Sequence, residues 1–166
     1  MNLDPIVYPV SYREQRLYIL DQTSLPEKEV YIELNNVEQV FHAIRELKVR
    51  GAPAIGIAAA YGFAMGIQKA PNNSHEDLRE SALKIKRLLE SSRPTAVNLF
   101  WSLNRMMNKL ISCIEDSLSL SEIFREIELE AVRIHQEDLD ASRNMVKNFF
   151  AVFKDRDGAT GVLTHC

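Results

Sequence analysis

At 166 residues, 46% hydrophobic and 26% charged, the chain is long enough to bury one substantial core and too apolar to remain disordered. A formal net charge of -3 argues against the global positive field that holds a nucleic-acid backbone or an anionic membrane, so an anionic ligand has to be gripped locally. Cys113 and Cys166 are far apart and form no CxxC spacing, which argues against a disulfide framework or a structural zinc site and for a reducing compartment.

The N-terminus has neither the basic opening nor the apolar run of a signal peptide, so a cytoplasmic location is expected. Leu17 to Leu20 and Val30 to Ile32 are strand-forming clusters separated by a turn-like segment, Thr23 to Lys28, and predict a small antiparallel sheet. From Asn36 the period changes. Val37, Val40, Phe41, Ile44 and Leu47 recur at helical spacing behind an Asn35 or Asn36 cap, predicting a first helix that ends near Lys48.

Ala52 to Ile67 predicts a second helix, buried rather than membrane-spanning because the uncharged stretch is short and rich in Ala and Gly. Ala52, Gly56, Ala60 and Ala64 fall on one face, where small side chains let a neighbouring backbone approach. A third helix begins at the capping pair Ser74 and Asp77 and runs to about Glu90. Pro94 disfavours helical geometry at Arg93, which places that arginine on a loop before a fourth helix marked by Val97, Phe100, Trp101, Met107 and Ile111. The fifth and longest helix starts near Ser121 on the stripe Ile123, Ile127, Ala131, Ile134, Ala141, Met145 and Phe149, with Asp138 set into the stripe. Asp157 and Gly158 then predict a turn, followed by a strand from Thr160 to Thr164. The resulting fold class is α+β: a small antiparallel sheet region over residues 1–35 and a helical bundle over 36–153, while the strand within 154–166 has no partner of its own and is expected to begin a second domain, whose α/β character only a family resemblance implies.

Three constellations carry chemistry. Arg50 and Gly51 precede a helix with Pro53 in its first turn, so orphan N–H groups, the helix dipole and a guanidinium can converge on one phosphate. The alternative is a buried helix with a surface arginine. Arg93, before Pro94 and Thr95, repeats the arrangement, with loop decoration and a Thr95 cap as its alternative. Cys166 follows His165 at the end of a glycine-flanked strand, where a thiol of depressed pKa can act as nucleophile or acid; an inert packed cysteine is the alternative. His42, His75 and His135 lack metal-ligand spacing, Cys113 is expected in the core or at its margin, and Trp101 is expected to pack, since no basic stripe accompanies it.

RGAPAIGIAAAYG, SRPTAVNLFWSLNRM and GVLTHC occur in the order and approximate separation found in methylthioribose-1-phosphate isomerases, and the chain resembles that family along nearly its whole length. The wider superfamily includes ribose-1,5-bisphosphate isomerase and regulatory subunits of translation initiation factor 2B. The resemblance implies a sheet and helical domain followed by a Rossmann-like domain, with a phosphorylated pentose bound at the junction and neither metal nor organic cofactor. It implies phosphosugar contacts from Arg50, Gly51, Ala52 and Arg93, a catalytic Cys166, an aspartate beyond position 166, and a homodimer formed through the missing domain, with no nucleic-acid or membrane partner. The segment Asn144 to Ala151 departs from the family's pattern in having no glycine, which predicts a lengthened fifth helix or an altered approach to Cys166.

Overall fold

The computed structural model describes residues 7–71, 73–153 and 161. Its sheet is antiparallel, in the order β1 (Val10–Arg13), β2 (Arg16–Leu20), β3 (Tyr31–Leu34). β2 and β3 fall on the two apolar clusters. β1 is not announced by the sequence, because only Val10 among its four residues is aliphatic and its hairpin has no glycine. The connecting residues Glu14 and Gln15 both take positive φ, 51° and 59°, as a two-residue type I′ turn requires. Leu17 and Ile19 point inward and are fully buried, while Tyr18 between them lies under the Arg13 guanidinium.

The helices are α1 (Val37–Arg45), α2 (Ala52–Lys69), α3 (His75–Glu90), α4 (Val97–Glu115) and α5 (Leu120–Phe153). Three carry side-chain caps: Asn36 Oδ1 accepts the Gln39 N–H at 2.9 Å, Ser74 Oγ accepts the Asp77 N–H at 3.1 Å, and before α5 Ser119 Oγ accepts the Glu122 N–H at 3.4 Å while the Glu122 carboxylate accepts the Ser119 N–H at 2.9 Å. α1 ends at Arg45, short of the expected Lys48. Leu47 turns into the left-handed region at φ 62°, and the N–H groups of Leu47 and Val49 bond back to Ile44 and Ala43.

α2 is the central element. Every residue from Ile55 to Ile67 is buried, as expected of a helix that is apolar all round. Among the described residues no helix is long and apolar enough to cross a membrane. On the predicted small-residue face, Gly56, Ala60 and Ala64 are buried, whereas Ala52 stands exposed at the helix's open end. A methyl group at Gly56 would meet Ser102 Oγ at 2.6 Å and the Asn98 carbonyl oxygen at 2.9 Å, so this glycine sets the α2–α4 distance. α4 returns the contact with Leu99, Leu103, Met106 and Leu110, all fully buried and each contributing about 1.5 to 3 kcal/mol.

α5 covers α2 and α4 with Ile123, Ile127, Ala131 and Ile134. Beyond Ile134 the predicted stripe fails: Ala141, Met145 and Phe149 are exposed, Met145 by 64%, because the helix runs past the described bundle. The glycine-free segment continues as helix, and Phe149 stacks on Phe153 at 4.5 Å between ring centroids.

One buried carboxylate ties α5 to α4. Glu130 accepts from Arg105 Nε at 2.6 Å and from an Arg133 guanidinium nitrogen at 2.8 Å. Burial pushes its carboxyl up, but the two guanidinium groups outweigh burial and hold it below the ordinary 4.5. Its stabilisation is therefore complete above the unfolded-state value and is lost as pH falls through the lower folded value. Glu130→Gln is expected to cost about 1 to 3 kcal/mol at neutral pH. It should also flatten the decline in stability below about pH 4.5, the ordinary glutamate value, as followed by urea unfolding across pH. A variant with the wild-type acid dependence would show that Glu130 is not the group responsible.

Candidate functional site

The loop after α1 is fastened before it reaches α2. Val49 is buried, the Lys48 carbonyl accepts the Gln22 N–H at 3.0 Å, and the Arg50 carbonyl accepts Gln22 Nε2 at 3.1 Å. With its carbonyl pinned to the sheet side, Arg50 extends its side chain into solvent. Gly51 then takes φ 93°, a conformation that a side chain at this position would strain, and becomes the N-cap of α2. Neither Gly51 nor any other side chain caps this helix, and Pro53 in its first turn has no N–H to leave unpaired.

The second loop is built similarly. Ser92 is buried and its hydroxyl donates to the Leu89 carbonyl at 2.6 Å, which closes α3 and turns the chain. Arg93 follows, half-buried, and its carbonyl accepts the Ala96 N–H at 3.1 Å. The N-cap of α4 is Ala96, again without a side-chain cap, so Thr95 does not cap this helix.

Because Gly56 draws α4 against α2, the two uncapped helix ends lie side by side. Arg50, Gly51, Ala52, Arg93, Thr95, Ala96, Val97 and Asn98 line one cleft of about 470 Å³, closed on its flank by Leu47 and Ile55. No aspartate or glutamate lines it, and neither arginine has a carboxylate partner among the described residues. In a chain of net charge -3 this is a locally cationic concavity with free N–H groups, suited to an anion.

The four residues expected to hold a phosphosugar are thus brought together, although 43 positions separate the two arginines (93 − 50). Cys166 and the strand expected at Thr160 to Thr164 lie outside the described residues, apart from Gly161. Leu47 is a cleft residue that the sequence reading misses, because its place in the wall depends on the left-handed turn that ends α1. Cys113 is buried, and burial pushes its thiol pKa up, as befits a core residue. The histidines are dispersed: His42 lies 3.6 Å from Glu46, His75 Nε2 contacts the Leu118 carbonyl at 2.8 Å, and His135 Nδ1 meets the Tyr61 hydroxyl at 3.1 Å. Trp101, expected to pack, is 51% exposed.

Fold and cleft together define an α+β domain that presents a carboxylate-free, arginine-lined cleft between two helix N-termini. Residues 48–166 match the model of the initiation factor 2 subunit family, and the chain belongs to that family. It is 40% identical over 158 residues, 95% of its length, to a 5-deoxyribose 1-phosphate isomerase of Bacillus cereus, of which it covers 44%. It superposes on a 5-methylthioribose 1-phosphate isomerase of Pyrococcus horikoshii OT3 with a TM-score of 0.73 and 38% identity, over 78% of this chain and 36% of that one. The delta subunit of translation initiation factor eIF-2B from A. fulgidus matches with a TM-score of 0.72 and 37% identity, over 79% and 37% of the two chains. The chain therefore spans less than half the length of these relatives.

Proposed function

We propose that this chain supplies the phosphate-holding part of a sugar-phosphate isomerase that converts 5-methylthioribose 1-phosphate into 5-methylthioribulose 1-phosphate, an intermediate conversion in methionine salvage. The observation that carries this reading is the convergence of Arg50 and Arg93 with two uncapped helix ends in a cleft without carboxylates. The isomerase names of the Bacillus and Pyrococcus relatives support it.

The reaction explains why such a grip matters. In going from aldose 1-phosphate to ketose 1-phosphate, the bond from C1 to the ring oxygen breaks and that oxygen takes up a proton. The C2 hydrogen moves to C1, and the C2 hydroxyl gives up its proton to become a carbonyl. Phosphate on C1 prevents the ordinary opening of a free hemiacetal, so an acid and a base must act on a substrate held still by its anion. In this reading Cys166 is one member of that pair, an aspartate beyond position 166 is the other, and the working unit is a homodimer.

Two substrates compete within this reading, since a 5-deoxyribose 1-phosphate or a ribose 1,5-bisphosphate carries the same C1 phosphate and differs only at C5. A noncatalytic regulatory role is a second reading, favoured by the likeness to the eIF-2B delta subunit. Assaying the full-length protein on the three phosphosugars separates them, with turnover expected from it and not from residues 1–166 alone. Cys166→Ala is expected to lower kcat by about 10²- to 10⁴-fold. Wild-type turnover in that variant would remove Cys166 from the chemistry, and no turnover on any of the three sugars would favour the regulatory role.

A further inference from the structure

A second concavity, of about 200 Å³, opens between α2, α4 and α5 and shares Asn98 with the arginine cleft. Its wall has the opposite electrostatic character, with Glu137 and Asp138 from α5 facing Trp101 and Ser102 from α4. The two carboxylates are not equivalent. Both oxygens of Glu137 are taken by Arg105, at 2.5 and 2.8 Å, and Arg105 is fixed in turn by buried Glu130 at 2.6 Å. Asp138 is half-buried, yet makes neither a hydrogen bond nor an ion pair among the described residues.

Ser102 points to a ligand independently. It is only 1% exposed, lines this pocket, and its hydroxyl has no hydrogen-bond partner among the described residues. A hydroxyl that opens only onto a pocket and makes no bond to the protein is available to donate to and accept from a ligand group. Trp101 keeps 51% of its surface exposed, although the Arg105 guanidinium lies over its ring at 5.5 Å from the centroid.

These groups select a ligand class. Asp138 offers open acceptor positions for a pair of neighbouring hydroxyls, Ser102 and Asn98 can each donate and accept, and the indole offers an apolar surface to C–H groups. A phosphate would be repelled by Glu137 and Asp138. A metal ion would find too few ligands, because among the described residues no group of three or more His, Cys, Asp or Glu side chains is placed to hold one. We propose that the pocket formed by Asn98, Trp101, Ser102 and Asp138 binds the hydroxyl-bearing ring of a neutral sugar. The site needs neither Arg50 nor Arg93 and stands whether or not the adjacent cleft holds phosphate.

Trp101 is the only tryptophan in the chain, so its emission reports on this pocket directly. Titration of the protein with D-ribose is expected to give a saturable change in tryptophan fluorescence, with saturation-transfer NMR showing the sugar in contact with the protein. Asp138→Ala and Ser102→Ala should each weaken the apparent affinity at least tenfold. Asp138→Asn, which keeps one acceptor oxygen, should retain part of it, and Arg93→Ala should leave it unchanged. Absence of a saturable signal in both measurements would overturn the site, as would a response that survives Asp138→Ala. A ribose response lost in Arg93→Ala would place the sugar in the arginine cleft and overturn the proposal, without bearing on phosphate binding there.

Discussion

Replacing Arg93 with alanine is expected to weaken the binding of inorganic phosphate by about 10- to 150-fold, the equivalent of roughly 1.5 to 3 kcal/mol for a hydrogen bond to a charged group. Arg93 is the stronger of the two arginines on physical grounds. It is half-buried beside the loop that Ser92 anchors, so its guanidinium is less screened by water and less free than that of the exposed Arg50. Arg50→Ala should therefore cost less, about 0.5 to 1.5 kcal/mol, and its effect should shrink more steeply as salt is added. Isothermal titration calorimetry with phosphate at two ionic strengths reads both quantities, with far-ultraviolet circular dichroism as the check that each variant is folded. Unchanged affinity in Arg93→Ala would remove that residue from the anion site. Equal losses for the two arginines would indicate that burial does not rank them.

The sequence made the local chemistry of this cleft readable and left its assembly hidden. Pro53 and Pro94 mark two loops that end in helices, and the arginines before them are visible as motifs. Their convergence depends on α2 meeting α4, which only the spacing of Gly56 on a small-residue face hints at. Helix starts were legible where a side chain does the capping, as at Asn36 and Ser74, because the cap and its partner lie within three residues. β1 was not, since its hairpin depends on Glu14 and Gln15 adopting a conformation for which their side chains give no signal. The stripe on α5 shows the opposite error. Periodicity identifies the apolar face through Met145 and Phe149 but carries no information about where the packing partner ends, and both residues lie exposed beyond the described bundle. The link from Arg105 to Glu137 spans 32 positions between two helices, and no local spacing rule reaches that far.

Gly56→Ala tests the assembly itself. The added methyl would sit 2.6 Å from Ser102 Oγ and 2.9 Å from the Asn98 carbonyl oxygen, inside any tolerated contact, so α4 must shift away from α2. Overpacking of this kind costs about 1 to 3 kcal/mol, against which alanine regains roughly 0.5 to 1 kcal/mol of helix propensity. A net loss of about 1 to 2 kcal/mol is expected in urea unfolding, together with weaker phosphate binding, because the shift carries the Ala96 end of α4 and the Arg93 loop away from Arg50. Pairing the substitution with Ser102→Gly should restore only part of the loss, since the closer side-chain atom is removed while the Asn98 backbone oxygen remains. Gly62→Ala supplies the contrast. Its methyl would press on Val40 Cγ1 of α1 at 2.8 Å, away from the cleft, so it should lower stability and leave phosphate affinity unchanged. If both glycine variants lose stability and neither loses affinity, the spacing of α2 and α4 does not set the distance between the arginines.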